Sequence, residues 1–167
     1  ATQAREKELH YEHKEIGYNY RMSNIVAGIG RGQLKSLEKF IQRKKRIYNK
    51  YKYAFSDIKD ITMNPIPEDC EPNYWLSCIT IDKNSRVKPK DIISALENEN
   101  IEARPIWKPM HMQPVYKDCD FIATVKDPLG VSGRIFRQGV CLPSDIKNKE
   151  EDMERIIGIV KRLFKGR

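Results

Sequence analysis

The chain has 167 residues and carries 31 Lys and Arg against 23 Asp and Glu, which gives a formal net charge of +8 at pH 7. This length fits one domain of ordinary size. No apolar run approaches the roughly 20 residues that cross a bilayer, and the first residues lack the basic-then-apolar order of a signal peptide, so we expect a soluble, cytoplasmic protein without a membrane partner.

Cysteine and histidine spacing gives no sign of a metal site. The four cysteines are scattered, without a C-x-x-C pair: Cys70, Cys78, Cys119 and Cys141. Neither a zinc site nor a disulfide framework is indicated, and free thiols in a reducing compartment are the simpler interpretation. His10 and His13 are three residues apart, but a zinc site would need carboxylates that the sequence does not indicate.

Residues 1–16 are polar and charged, without a period that would bury them as an independent helix or strand. The stretch Gly17–Asn24 then places an amide, two phenols, a guanidinium and a hydroxyl ahead of a long helical pattern. Apolar residues recur at three-, four- and seven-residue intervals, which predicts one face of a helix. These positions are Ile25, Ile29, Leu34, Leu37, Ile41, Tyr48, Tyr51 and Phe55.

The start of this helix could receive an anion. Ser23 or Asn24 is the natural N-cap. Because a helix N-terminus carries unpaired N–H groups and partial positive charge, a phosphate could bind there, with Asn19 and Arg21 just upstream. The alternative is a capped helix start with one or two buried tyrosines, and the residues by themselves favour that alternative.

The middle of the chain alternates loops, strands and a helix. In order, the patterns predict a proline-punctuated loop at 64–72, a strand at 74–81, a helix starting near Pro89 and a short strand at 101–104. Residues 105–130 hold four of the nine prolines together with Trp107 and His111. Such a loop is too long for a simple connector, and its aromatic residues favour function over disorder.

The last segment completes a mixed fold. We predict one or two helical turns at 132–138, a buried strand at 139–143 and a helix from Asn148 or Lys149 to Phe164, with acidic residues in its first turn. This order of elements predicts a small α+β domain with a mostly antiparallel sheet.

Four segments carry a resemblance to a known family. They are residues 1–5 (ATQAR), 10–13 (HYEH), 17–24 (GYNYRMSN) and 104–111 (RPIWKPMH). Together they resemble the second half of the pyridoxal-phosphate-dependent sugar aminotransferases of the DegT/DnrJ/EryC1/StrS family, especially those that aminate a UDP-linked 4-keto-6-deoxy-N-acetylhexosamine. The resemblance implies the small C-terminal domain of a fold-type I, aspartate aminotransferase-like enzyme, with a long N-terminal helix and a C-terminal helix. Residues 1–22 would be a linker from a large cofactor domain, and residues 23–167 the small domain.

The same resemblance implies a reaction. The parent enzyme would transfer an amino group from glutamate to a nucleotide-linked 4-ketosugar for surface polysaccharide or glycan biosynthesis, as a homodimer. The cofactor would be pyridoxal 5'-phosphate, held mainly by the large domain. This chemistry needs a lysine that carries the cofactor as a Schiff base, and none of the lysines here lies in such a context. We therefore expect the chain to be a fragment of that enzyme, inactive by itself and without catalytic residues of its own.

The resemblance also assigns candidate site residues. Asn19 would reach the cofactor phosphate of the other subunit, and Arg21 would face a substrate phosphate or carboxylate, for which an Arg fork is well suited. The sugar-nucleotide entrance would be lined by Trp75, Arg104, Trp107, Lys108, Met110 and His111, with His10 and Tyr11 as weaker candidates. For the two tryptophans, ordinary core packing is an equal alternative.

Two other classes of function stay open at this point. The net charge and the run Arg43–Arg46 are compatible with a nucleic-acid-binding module, whose affinity would fall steeply with salt. However, four consecutive helical residues spread around the axis, which favours a solvated helix surface. The absence of a cofactor-lysine motif is compatible with a non-catalytic interaction domain.

Overall fold

The computed structural model describes residues 15–122 and 129–165, which form five α-helices and four β-strands. The chain divides into two compact units, the first ending at Glu38 and the second beginning at Lys39. The helices are α1 (Asn24–Leu34), α2 (Leu37–Ala54), α3 (Pro89–Glu97), α4 (Gly130–Gln138) and α5 (Glu150–Phe164). The strands are β1 (Ile61–Met63), β2 (Ser77–Ile81), β3 (Arg104–Pro105) and β4 (Gly139–Leu142). Each helix in these two ranges is too short or too polar to cross a membrane.

Ser23, one of the two N-cap candidates in the sequence, caps α1. Its backbone is extended, with φ −69° and ψ 157°, and its Oγ accepts a hydrogen bond from the Val26 N–H at 3.2 Å. The cap satisfies one of the backbone donors that every helix start leaves unpaired. None of the residues of α1 is buried.

The single long helix predicted from Ile25 to Phe55 is wrong, because two helices occupy this range. Lys35 and Ser36 separate α1 from α2. At the break the Ser36 N–H donates to the Gln33 carbonyl at 3.0 Å, a three-residue bond that ends the α-helical ladder. The glycines at 28, 30 and 32 weaken helix propensity just before this point, by about 1 kcal/mol each relative to alanine.

The four strands form one sheet in the order β1-β2-β4-β3, and every neighbouring pair is antiparallel. This confirms the predicted α+β class with a mostly antiparallel sheet. β2 starts at Ser77 rather than Tyr74, because Tyr74 has φ 53°, a left-handed conformation that a strand does not accept. β3 begins at Arg104, the last residue of the predicted strand at 101–104. β1 was not predicted, since three residues are too few to show alternation.

The three later helices agree with their predicted positions. α3 has Pro89 in its first turn, where the missing N–H of proline costs nothing. α4 covers the helical turns predicted at 132–138. α5 ends at Phe164 as predicted, and its first turn contains Glu150, Glu151 and Asp152, whose negative charge is favourable at a helix N-terminus.

The hydrophobic core lies between the sheet and helices α2, α3 and α5. In β2, Ser77, Ile79 and Ile81 are buried while Cys78 and Thr80 are only partly buried, so alternate residues face the core. Burial of each large aliphatic side chain contributes about 1.5–3 kcal/mol, before the entropy cost of ordering the chain. The fully buried apolar residues include Tyr51, Phe55, Ile79, Ile81, Ile92, Leu96, Val140, Leu142 and Val160.

Tyr51 ties α2 to the chain that follows β4. Its side chain is 0% exposed, its hydroxyl donates to the Pro143 carbonyl at 2.8 Å, and its ring stacks on Phe55 with a centroid distance of 5.9 Å. Burial raises the pKa of the Tyr51 phenol far above its ordinary value, so the hydroxyl stays protonated and remains a donor.

We expect Tyr51→Phe to lower the free energy of unfolding by about 1 kcal/mol, because one buried hydrogen bond is lost while the ring is kept. Tyr53→Phe is the matched control, since Tyr53 lies on the same helix and is 86% exposed. Urea denaturation followed by circular dichroism measures both variants. Equal stability of the two variants would contradict a structural role for the Tyr51 hydroxyl.

Candidate functional site

Two tryptophans from distant parts of the second unit form an exposed aromatic pair. Trp75 precedes β2 and Trp107 follows β3, and their ring centroids are 5.7 Å apart with an angle of 33° between the planes. The two side chains are 63% and 61% exposed. The alternative that they are ordinary core aromatics is therefore wrong. Each indole has an exposed apolar face of the kind that packs against a ring.

Local backbone geometry turns Trp75 outward. Tyr74, in the left-handed conformation, directly precedes it, and the Trp75 N–H donates to Asn73 Oδ1 at 3.0 Å. An Asn side chain that accepts from the backbone two residues later is a common turn-forming arrangement. The turn interrupts the extended chain just before β2, so Trp75 lies outside the strand alternation that buries Ile79.

Lys44 of α2 fixes this turn to the rest of the unit. Its Nζ donates to the Trp75 carbonyl at 3.0 Å and to the Ser144 carbonyl at 2.5 Å. Burial lowers the pKa of Lys44 below its ordinary value, and the nearby Asp145 partly opposes this change. The sequence interpretation of Arg43–Arg46 as a solvated helix surface is therefore wrong for Lys44, whose position on α2 lets it bridge two loops. Nothing in the sequence distinguished it from its basic neighbours.

Arg104 and Lys108 are the two cations nearest to Trp107 in the sequence. Arg104 lies in β3, which pairs with β4, and its guanidinium forms an ion pair with Glu102, with Nε and Glu102 Oε1 2.6 Å apart. The side chains of this pair are 77% and 72% exposed. An exposed ion pair contributes little to stability, about 0–1 kcal/mol, so its partner can be exchanged at low cost. Lys108 is exposed, and its carbonyl accepts from Gln113 Nε2 at 3.2 Å.

Met110 and His111 begin a 3-10 turn, and the two side chains differ in environment. Met110 is 62% exposed. The ring of His111 stacks on Phe121 with a centroid distance of 3.7 Å and an angle of 10°. His111 Nε2 is buried and has no hydrogen-bond partner among the described residues. Gly133 of α4 lies beside it, since a Cβ built there would be 3.8 Å from Nε2. His111 therefore packs the long loop against α4 rather than joining the tryptophan pair.

In the first unit, Asn19 and Arg21 lie shortly before α1. Asn19 Oδ1 accepts from the Arg21 N–H at 3.0 Å, which leaves the amide Nδ2 to donate elsewhere. The rings of Tyr18 and Tyr20 stack with a centroid distance of 6.0 Å, and both side chains are exposed. The alternative of buried tyrosines at this helix start is thus wrong. His10 and Tyr11, the other two candidates, lie outside the described residues.

The described residues include no group of three or more His, Cys, Asp or Glu side chains that could hold a metal ion. Sequence reasoning missed three contacts that shape the site: Lys44 to Trp75, Glu102 to Arg104, and Phe121 to His111. Of these three, only the contact of Glu102 with Arg104 could have been predicted from the sequence. The two residues are two positions apart in the predicted strand, and alternate residues of a strand share a face.

The antiparallel sheet covered by helices agrees with the small C-terminal domain of fold-type I aminotransferases, which the family resemblance predicts. The sequence model of the DegT/DnrJ/EryC1/StrS aminotransferase family matches residues 2–161, so the chain belongs to this family. This confirms the family resemblance found in the sequence.

Known relatives agree with this assignment. The chain is 39% identical over 164 residues to EpsN of Bacillus subtilis (strain 168), assigned as a pyridoxal phosphate-dependent aminotransferase, and this match covers 98% of the chain and 42% of EpsN. It is 30% identical to the GDP-perosamine synthase of Vibrio cholerae, over 92% of the chain and 41% of that protein. The chain thus spans about two-fifths of the length of these relatives.

Solved structures show the same fold. Helicobacter pylori PseC, an aminotransferase involved in the biosynthesis of pseudoaminic acid, superposes with a TM-score of 0.79 at 23% sequence identity. The match covers 98% of this chain and 43% of PseC.

The tryptophan pair predicts a spectroscopic signal. The chain contains two tryptophans, so exciton coupling between their indoles should give a couplet in its far-ultraviolet circular dichroism. We expect Trp75→Phe and Trp107→Phe each to abolish the couplet and leave the helical signal intact, whereas Tyr53→Phe should change neither. A couplet that survived in either tryptophan variant would contradict the observed pairing.

Proposed function

We propose that this chain is the C-terminal part of a pyridoxal-phosphate-dependent aminotransferase that transfers an amino group from glutamate to a nucleotide-linked 4-ketosugar. The observation that carries the proposal is the family match over residues 2–161. Three kinds of relative have names that include a nucleotide-linked sugar or its product: GDP-perosamine synthase, UDP-4-amino-4,6-dideoxy-N-acetyl-beta-L-altrosamine transaminase and dTDP-4-amino-4,6-dideoxy-D-glucose transaminase. The nucleotide differs among them, and we propose a UDP-linked sugar here on the resemblance of the sequence motifs.

In this proposal the chain supplies the substrate side of the site. A nucleotide-sugar offers a diphosphate, hydroxyl groups and flat rings, and pockets for such ligands combine an apolar surface with a few placed polar groups. The exposed faces of Trp75 and Trp107 suit a ring. Arg104 suits a diphosphate, because bidentate Arg–phosphate contacts are strong and the exposed Glu102 contact is easily given up. We propose that Lys108 and Met110, two exposed residues of the loop that follows Trp107, belong to the same site.

His111 has a different part in this proposal. Its stacking on Phe121 and its place beside Gly133 support a role in holding the loop that carries Trp107. A substrate that approached the loop would meet the exposed side chains of Trp107 and Met110 before His111. We therefore propose His111 as a positioning residue of the substrate site.

The cofactor is expected to be held mainly by a large domain, for which residues 1–22 would be the linker and residues 23–167 the small domain. Bound pyridoxal phosphate supplies an electron sink for the carbon that exchanges its amino group. The residues before α1 fit a phosphate, because the Asn19 amide retains a donor and the start of α1 carries partial positive charge. In a homodimer, Asn19 would serve the cofactor of the partner subunit, with Arg21 facing a substrate phosphate or carboxylate.

In the full-length enzyme, we expect Asn19→Ala to weaken cofactor affinity roughly tenfold or more, since a hydrogen bond to a charged group is worth about 1.5–3 kcal/mol. Asn19→Asp is the matched variant, because it keeps the oxygen that accepts from Arg21 N–H and removes the amide donor. Fluorescence titration of the apoenzyme with pyridoxal phosphate measures both. If Asn19→Asp restored normal affinity, the turn rather than the donor would be what matters, and the cofactor role would be rejected.

The substrate role of the loop is tested by Trp107→Ala in the same enzyme. We expect the KM for the UDP-linked ketosugar to rise about fivefold to 150-fold, because stacking of a base on an aromatic side chain is worth about 1–3 kcal/mol. The glutamate half-reaction should be unchanged, and Trp107→Phe should restore much of the loss. Tyr53→Ala, which removes another exposed aromatic side chain, serves as the control. An unchanged KM in stably folded Trp107→Ala, or equal losses in both half-reactions, would contradict the proposal.

A further inference from the structure

Two cysteines face each other across the middle of the sheet. Cys78 of β2 is the register partner of Cys141 of β4, and their Sγ atoms are 3.5 Å apart. The residues are 63 positions apart in the sequence, so only the pairing of β2 with β4 brings them together. The other two cysteines of the chain, Cys70 and Cys119, are exposed.

The backbone geometry of this pair suits a disulfide. The Cys78 N–H donates to Asn64 Oδ1 at 3.0 Å, and the Cys78 carbonyl accepts from the Asn64 N–H at 2.9 Å, so its backbone bonds on the side away from β4. Cys78 and Cys141 are therefore a non-hydrogen-bonded pair of an antiparallel ladder, in which Cα atoms lie about 4.5 Å apart. That distance falls within the range of about 4.4–6.8 Å that disulfides require.

The two thiols lie on the sheet face opposite the core, because their neighbours Ile79 and Val140 are fully buried. Cys78 is partly exposed and Cys141 is 8% exposed. The Cys78 S–H donates to Cys141 Sγ, and this hydrogen bond lowers the pKa of the Cys141 thiol while it raises the pKa of Cys78. The hydrogen bond from Cys78 thus favours the thiolate form of Cys141, which is the form of a thiol that reacts with an oxidant.

We propose that Cys78 and Cys141 form a reversible dithiol–disulfide site that is oxidised by hydrogen peroxide. One sulfur, as the thiolate, attacks an oxygen of hydrogen peroxide, so an S–O bond forms, the O–O bond breaks, and the hydroxide that leaves takes up a proton to become water. The second sulfur then attacks the first, an S–S bond forms, and the hydroxyl leaves with a proton as a second water. The two sulfurs lose two electrons in total, which reduce one peroxide to two waters.

The disulfide would need only a small movement. The S–S bond is about 2.05 Å long, so the Sγ atoms must approach by roughly 1.5 Å, which side-chain rotation can supply without a change of register. The new bond would tie β2 to β4 between the segments that carry Trp75 and Trp107. This proposal does not depend on the aminotransferase reaction, because it rests on the sheet alone.

The test uses the full-length protein, treated with a small molar excess of hydrogen peroxide, blocked with iodoacetamide in denaturant, and digested without reductant for mass spectrometry. We expect a peptide pair linked through Cys78 and Cys141, a loss of two of the four thiols of this chain, and full reversal by dithiothreitol. Cys70→Ser, the matched control at an exposed cysteine, should leave the link intact. Cys78→Ser and, separately, Cys141→Ala should abolish it.

A second measurement covers the case in which Cys141→Ala folds poorly. Oxidation should raise the Tm of the parent protein by about 5–10 °C, because the link closes a long loop of the unfolded chain. The Tm of Cys78→Ser should not change on oxidation. The proposal is overturned if Cys78 and Cys141 both remain alkylatable after peroxide treatment, or if either is found linked to Cys70 or Cys119 instead.

Discussion

The antiparallel pairing of β2 with β4 is the constraint on which the rest of the second unit depends. One face of this pair presents Ile79 and Val140 to the core, where α2, α3 and α5 cover them. The hydrophobic gain from that face fixes the register, because a slip of one residue would move each of these side chains to the other face. The register in turn decides what the second face presents, which is why Cys78 and Cys141 meet there.

The same pairing determines where the candidate substrate residues lie. β3 is held by β4, so Arg104 and the loop with Trp107 are placed on one side of the sheet centre, and the turn with Trp75 leads directly into β2. Lys44 then fixes this turn through the Trp75 carbonyl. Two large rings left exposed forgo most of the stabilisation that burial would give them, so their exposure favours a role in binding over one in folding.

The two proposals differ in what supports them. The aminotransferase function rests on family membership, and the exposed aromatic pair and the exposed cations near Trp107 in the sequence are chemically consistent with it. The redox proposal rests on the geometry of the sheet and on sulfur chemistry, so it does not depend on what reaction the whole protein catalyses. Cys78 nevertheless lies only three residues after Trp75. Substrate binding can therefore be measured once with the cysteine pair reduced and once with it oxidised.

Local chemistry in the sequence determined much of the fold. The Ser23 cap, the first-turn proline of α3 and the acidic first turn of α5 are properties of a few adjacent residues, and each is where the sequence predicts it. The family motifs likewise identified the loop that carries Trp107. Contacts between distant segments were decided by the tertiary structure, because no local pattern encodes them. These include the left-handed Tyr74 that shortens β2, the Lys44 bridge, the outward pairing of Trp75 with Trp107, and the meeting of Cys78 with Cys141. Each depends on the order of the strands in the sheet. That order is fixed by burial of the shared core, which forms only when the whole second unit has folded.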